Sequence, residues 1–291
     1  MIVLMKTAIS SYSFSRLMNE QKETQLSIIG KAKELGFAAI EFTDLTPPEN
    51  VTESEYASQL KAEAERCGIE IACYSVGADL LGGCGGDLEA EINRIKRKVD
   101  IAERLGAKLL RHDAMFAFPD HSRGYQGFSN VLPRLVKGCL AVTEYAAQKG
   151  IRTMVENHGQ FCQDSCRVEQ LVNTVAHPNF GLLVDVGNFL CADEDPVTAV
   201  GRCAPYAFHV HIKDFIYKSG QEDDPGEGFF STRSGAFLRG TVAGHGIVPI
   251  RQCIRALKNA GYDGYLTLEF EGQEEIGYAL RAGAAAVAKL I

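Results

Sequence analysis

The sequence predicts an α/β fold, a (β/α)8 TIM barrel forming a single domain over residues 1–291 with a long insertion after the seventh strand. Three observations carry this expectation. Short apolar runs alternate with longer amphipathic stretches along the whole chain, with no low-complexity linker or shift in composition between them. Several amphipathic stretches close on glycine just before the next apolar run, as in Arg66-Cys67-Gly68-Ile69 and Arg104-Leu105-Gly106-Ala107, where glycine takes the left-handed conformation that ends a helix. Repeated over 291 residues, this rhythm describes a parallel sheet closed on itself. The competing fold is an open doubly wound sheet; it is disfavoured because no GxGxxG turn follows the first strand.

In chain order the expected strands are Lys6 to Tyr12, Ala38 to Phe42, Ile69 to Ser75, Lys108 to Arg111, Arg152 to Glu156, Phe180 to Asp185, Ala207 to Ile212 and Gly264 to Glu269. Each is short, rich in aliphatic or aromatic residues, and bounded by turn formers. The expected helices are Ser27 to Leu35, Glu53 to Cys67, Leu88 to Leu105, Ser129 to Lys149, Arg167 to Ala176, Pro196 to Ala204, Pro249 to Asn259 and Glu274 to Leu290. One connection breaks the rhythm. Residues Phe215 to Gly246 are rich in glycine and charge and carry Tyr217, Phe229, Phe230, Arg233 and Arg239. A connection of that length is uncommon unless it serves as a lid or binding loop, and it follows a strand end, where barrel active sites lie. Arg233 and Arg239 there suit a bidentate clamp on phosphate or carboxylate, or are solvated loop residues.

Composition narrows the function classes. A hydrophobic content of 46% allows a large core. The net charge of −7 argues against nucleic acid as the main partner, because phosphate binding needs a concentrated basic surface. Nine cysteines, an odd number without CxxC pairs, describe a reduced intracellular chain, and Cys162 with Cys166 lacks the second pair that a zinc site needs. The apolar run Met1-Ile2-Val3-Leu4-Met5 is short for a signal peptide, and no segment has the length of a membrane span. The expectation is a cytoplasmic protein with a small-molecule partner and no membrane or nucleic-acid partner.

The polar residues at the strand ends form a pattern of their own. Successive side chains of a strand face opposite ways, so in Ala207-Phe208-His209-Val210-His211-Ile212-Lys213-Asp214 the residues His209, His211 and Lys213 share one face. Arg152-Thr153-Met154-Val155-Glu156 and Leu182-Leu183-Val184-Asp185 end in acids, and Tyr265-Leu266-Thr267-Leu268-Glu269-Phe270 holds a third among apolar neighbours. Glu156, Asp185, His211 and Glu269 therefore stand at the C-terminal ends of strands five to eight, adjacent around a barrel and able to meet. Three carboxylates and an imidazole suit one divalent cation such as Mn2+, Mg2+ or Co2+, since oxygen-rich sites favour hard metals. Three buried acids without a cation would repel one another. The bland account has each acid capping a helix or pairing with a nearby base; it requires four such coincidences at one end of consecutive strands. His209 fills the barrel or supports a ligand, Lys213 forms a salt bridge or touches substrate, and His158 reaches ligand or bonds at the rim. Glu41, Arg111, His112 and Asp113 end strands two and four, where they line the mouth or form rim ion pairs.

Taken together, Val155-Glu156-Asn157-His158, Val184-Asp185-Val186-Gly187-Asn188, His209-Val210-His211-Ile212-Lys213-Asp214, Gly244-His245-Gly246 and Gly261-Tyr262-Asp263-Gly264-Tyr265-Leu266-Thr267-Leu268-Glu269 resemble the xylose isomerase-like barrel superfamily. The resemblance is to its sugar phosphate isomerase/epimerase group, which includes ketose 3-epimerases, and covers nearly the whole chain. It implies that Glu156, Asp185, His211 and Glu269 bind one divalent metal, that Glu156 and Glu269 serve as an acid/base pair, and that the substrate is a ketose or related keto-polyol turned over through an enediolate. His158, Asn188, Lys213, Glu41, His112 and Arg239 are the expected substrate contacts. One departure stands at Asn188, where ketose 3-epimerases commonly place histidine; an amide bonds a hydroxyl but does not titrate near neutrality.

Two further readings follow from the same superfamily. Its dehydratases acting on inosose and dehydroshikimate expel a leaving group from the enolate, and Glu156-x-His158 resembles some of them. Endonuclease IV shares the barrel but needs further histidines, one where Asn188 stands, and a basic face. A binding barrel without catalysis would have no use for the full set of four ligand-type residues. Barrels often pair through their loop faces, so a homo-oligomer is an open expectation.

Overall fold

A computed structural model describes residues 5–116 and 127–291. The apolar run Met1 to Met5, on which the signal-peptide reading rested, lies outside them except for Met5. Eight parallel strands close into a barrel: β1 (Lys6–Ser10), β2 (Ala39–Thr43), β3 (Glu70–Val76), β4 (Leu109–His112), β5 (Arg152–Glu156), β6 (Phe180–Asp185), β7 (Ala207–Ile212) and β11 (Tyr265–Leu268), the last pairing with both β7 and β1. Around them lie α1 (Ser15–Asn19), α2 (Ser27–Glu34), α3 (Glu53–Cys67), α4 (Leu88–Leu105), α5 (Phe128–Ala147), α6 (Ser165–Val175), α7 (Pro196–Cys203), α8 (Ile250–Asn259) and α9 (Ile276–Ala288).

The ends of these elements follow local chemistry. Thr52 and Glu55 form a reciprocal capping box that starts α3, and Asp87, Asp164 and Asp195 accept backbone N–H groups at the starts of α4, α6 and α7. Gly68 and Gly106 end α3 and α4 in the left-handed conformation expected of them. The first strand is shorter than expected. The hydroxyl of Ser10 accepts the Tyr12 N–H, and residues Ser11–Phe14 coil into a 3-10 turn that leaves Tyr12 at the barrel mouth. The short helix α1 was not expected from sequence.

Residues 215–246 are not a structureless loop. They contribute β8 (Asp214–Lys218), β9 (Phe230–Ser231) and β10 (Phe237–Thr241), an antiparallel sheet in the order β8-β10-β9 with Phe215 and Leu238 fully buried. Its base is fixed by one carboxylate. Asp214 accepts the backbone N–H groups of Phe215, Gly244, Gly246 and Val248 at 2.8–3.0 Å. A Cβ on Gly246 would collide with that carboxylate, so glycine is required there.

Most of the core lies between barrel and helices. Inside the barrel Cys73, Met154 and Leu183 form a buried apolar layer. The strand alternation that turns Met154 and Leu183 inward brings Glu156 and Asp185 inward two residues later, at the C-terminal mouth. Among the described residues no helix is long and apolar enough to cross a membrane.

Candidate metal centre and active site

Glu156, Asp185, His211 and Glu269 meet at the mouth, each offering a ligand atom within 4.8 Å of the others. The imidazole is the hub: Nδ1 of His211 lies 3.7 Å from Glu156 Oε1, 3.8 Å from Asp185 Oδ2 and 3.6 Å from Glu269 Oε2. These distances are too long for hydrogen bonds. Correspondingly, His211 Nδ1 and Asp185 Oδ2 are buried polar atoms without a hydrogen-bond partner, an arrangement that is costly unless something else satisfies them. The donor set and these two orphaned atoms fit a divalent cation held by the four side chains.

The surroundings orient these atoms. His211 Nε2 faces Glu41 Oε2 at 2.9 Å, and His209 Nε2 faces the same oxygen at 2.9 Å and Thr267 Oγ1 at 2.8 Å. An ionised carboxylate only accepts, so both rings carry their proton on Nε2 and the Nδ1 of His211 points at the acids. Burial raises the Glu41 carboxyl, but the charge of His211 and hydrogen bonds from both imidazoles hold it well below the carboxylate range. Asp185 Oδ1 accepts the N–H groups of Gly187 and Asn188, and the Asn157 side chain brackets the backbone of Asp185 with two hydrogen bonds of 2.8 and 2.9 Å.

Each glutamate has its own cation. Arg111 binds Glu156 Oε2 at 2.6 Å and Asp113 Oδ1 at 2.8 Å; Lys213 binds Glu269 Oε2 at 2.6 Å and lies 3.4 Å from Glu271. Burial works against ionisation of both glutamates, and Arg111 and Lys213 overcome it, keeping both carboxyls below their ordinary values. Asp185 behaves oppositely. Burial, joined by the charges of Glu156 and Glu269, pushes it up to about 6 against the pull of Lys213. For His211, burial disfavours the imidazolium, yet Glu41 and Glu269 raise it well above the ordinary histidine value.

The remaining expected residues divide. Asn188 donates from Nδ2 to Glu156 Oε1 at 3.0 Å and accepts from Lys213 at 3.4 Å. His158 is half-buried and its Nδ1 pairs with Asp113 Oδ1 at 2.9 Å. Glu41 was expected at the mouth as a substrate contact; it is fully buried and spends both oxygens on His211, His209 and Ser10. His112 and Arg239 are not brought into the group. Arg111 takes the inward position on β4, leaving His112 bonded to the Asp113 carbonyl and facing Phe180, whereas Arg239 on β10 lies over the ring of Phe229, 5.2 Å from its centroid. Arg233 is no open clamp, since it bonds Asp164 and the Gln160 carbonyl. Tyr12 and Glu271 line the cavity of about 380 Å3 that Glu156, His211 and Glu269 also line, without having been singled out from sequence.

An eight-stranded parallel barrel with three carboxylates and an imidazole gathered at its C-terminal mouth defines an α/β barrel with a candidate metal site there. Residues 29–290 match the family described as xylose isomerase-like TIM barrel, and the chain belongs to that family. Inosose dehydratase of Lacticaseibacillus casei is 26% identical over 156 residues, covering 51% of each chain. This chain's match therefore spans about half the length of its curated relatives. Two solved structures share the fold over nearly their full length: the probable 3-DHS dehydratase AsbF involved in petrobactin synthesis from Bacillus anthracis, at TM-score 0.72, 21% identity and coverage of 98% and 99%, and a D-psicose 3-epimerase determined with D-fructose, at TM-score 0.71, 16% identity and coverage of 98% of each chain.

Proposed function

We propose that the protein is a divalent-metal-dependent isomerase or epimerase of a ketose or related keto-polyol, acting through an enediolate. The observation that carries this reading is the pair Glu156 and Glu269, which approach His211 Nδ1 at 3.7 and 3.6 Å from strands separated in the barrel by β6 and β7. Glu156, Asp185, His211 and Glu269 would hold the cation, which when bound polarises a carbonyl and offsets the negative charge of the enediolate. The side chains supply the proton transfers. One glutamate removes the proton beside the carbonyl, and the other returns a proton to the opposite face. Lys213, Asn188 and His158 present donors to substrate hydroxyls at the rim of the same cavity.

A second reading, elimination of water from a keto-cyclitol or similar substrate, is favoured by the His158–Asp113 pair. Burial alone would lower the His158 pKa, but the Asp113 hydrogen bond and charge raise it, so that an imidazolium is available to protonate a leaving hydroxyl. The names of the dehydratase relatives support this alternative.

The experiment is a screen of ketoses, inososes and keto acids in D2O with protein reconstituted with Mn2+, Mg2+ or Co2+, followed by NMR. Deuterium beside the carbonyl together with an epimer or isomer supports the first reading. Loss of a hydroxyl supports the second, and an absence of exchange with every substrate contradicts both.

A further inference from the structure

A second lobe adjoins the cavity over the acids. The inner lobe, about 380 Å3, is walled almost entirely by polar and charged side chains. The outer lobe, about 470 Å3, lies between the segment after β5 and the small sheet, and the two share His158, Lys213 and Glu271. Each lobe by itself falls in the size range of a complete small-molecule site, roughly 300–1,000 Å3. A free monosaccharide at the acids would fill only the inner one.

The outer lobe has different chemistry. Phe116 and Phe230 line it while leaving 53% and 41% of their surface exposed, and large exposed aromatics at the rim of a cleft are characteristic of ligand contact. Both rings are held in place. Phe116 packs edge-on against His158 at 5.9 Å, and its backbone comes so close to Gly159 (φ +71°) that a Cβ there would lie 3.2–3.3 Å from Phe116. Phe230 packs edge-on against the buried Phe215 at 5.8 Å. The strand end beyond Phe230 is tied across the lobe to the loops after β5 and β6: Thr232 and the Ser234 N–H both bond Asp193 at 2.6 Å, and Arg233 bonds Asp164 at 3.0 Å. These contacts brace the outer lobe from both sides.

Building on the enediolate reading, we propose that the substrate is a keto sugar carrying a second ring-shaped group, either another sugar or an aromatic aglycone, whose flat face lies against Phe116 and Phe230 while the keto sugar occupies the acidic lobe. Lys213 and His158, shared by both lobes, stand at the junction between the two rings.

The test uses the metal-reconstituted protein and two matched pairs: D-fructose with isomaltulose, a glucosylated fructose that keeps its carbonyl, and 3-keto-D-glucose with its phenyl β-glycoside. Exchange of the proton beside the carbonyl is followed in D2O. The expected result is a kcat/KM at least tenfold higher for the substituted member of one pair, with the pair that responds distinguishing sugar from aromatic. Phe116→Ala or Phe230→Ala then reduces that ratio at least threefold. Equal or better exchange of the free sugars in both pairs, or a ratio that survives both substitutions, overturns the proposal. If none of the four compounds exchanges, the wider substrate screen decides the enediolate reading, and calorimetric binding decides the outer lobe separately: tighter binding of a substituted member, weakened by Phe230→Ala, sustains it, and any other pattern overturns it.

Discussion

His211 and Glu41 are joined by a hydrogen bond of 2.9 Å between Nε2 and Oε2, although 170 residues separate them along the chain. β2 and β7 reach this contact across the barrel interior. Through it the orientation of the His211 ring, and with it the direction of Nδ1, depends on an acid that does not itself touch the other three carboxylates' ligand position. Such supporting partners typically change metal affinity 10–100-fold. Glu41→Gln, which can still accept the His211 proton but lacks the charge, is expected to weaken Mn2+ binding about tenfold, and Glu41→Ala about a hundredfold. Isothermal titration of each variant checks this; unchanged affinity in Glu41→Ala would remove the role assigned to the contact.

Glu156 and Glu269 are expected to be unequal in binding and equal in need. Each glutamine variant loses a proton-transfer group, and kcat should fall by about 10²–10⁴ in both. Glu156→Gln also leaves Asp113 as the acid ion-paired to Arg111, and Glu269→Gln leaves Lys213 with the charges of Asp185 and Glu271, although each amide oxygen can still accept a hydrogen bond. Single-turnover exchange in D2O separates the chemical step from binding, and a variant retaining wild-type exchange would exclude its glutamate from the acid/base pair.

Away from the site, Glu91 is a buried acid on α4 that binds Arg94 at 2.7 Å and accepts the Asp79 N–H at 3.0 Å. Burial raises its carboxyl, but hydrogen bonds from Arg94 and the Asp79 backbone bring it down to about 2. A folded-state value below the unfolded one, about 4.3, means that the stabilisation is present above that pH and is lost as pH falls towards about 2. The contribution is on the order of 2–3 kcal/mol. Glu91→Gln should therefore lower the unfolding free energy by that order at pH 7. Denaturant titrations across pH 3–7 should show the gap from wild type narrowing on acidification; a gap that is constant with pH would contradict the assignment.

How much of this was legible in sequence depends on whether local alternation fixed the facing of each side chain. In β7 apolar residues alternate with His209 and His211, so the inward direction of His211 follows from a period of two, whereas β5 and β6 mark Glu156 and Asp185 only by placing an acid at the end of a mostly apolar strand. At the end of β4 three polar residues, Arg111, His112 and Asp113, stand in a row, and nothing local decides which faces the mouth. Arg111 does so because Glu156 on the neighbouring strand is there to receive it. Glu41 was legible as a strand-end acid, but its partners on β7 are set by barrel closure. The small sheet was hidden because β9 has only two residues and Gly240 interrupts β10, leaving too little pattern to distinguish strand from loop.

The central claim is that Glu156, Asp185, His211 and Glu269 together hold one divalent cation. Its most direct test is a titration of metal-stripped protein with Mn2+, with the free ion counted by electron paramagnetic resonance, repeated on Asp185→Asn and His211→Ala. The expected result is one ion bound per chain in the wild type and loss of that binding in both variants. Absence of a bound ion in the wild type, or one ion retained in both variants, would contradict it.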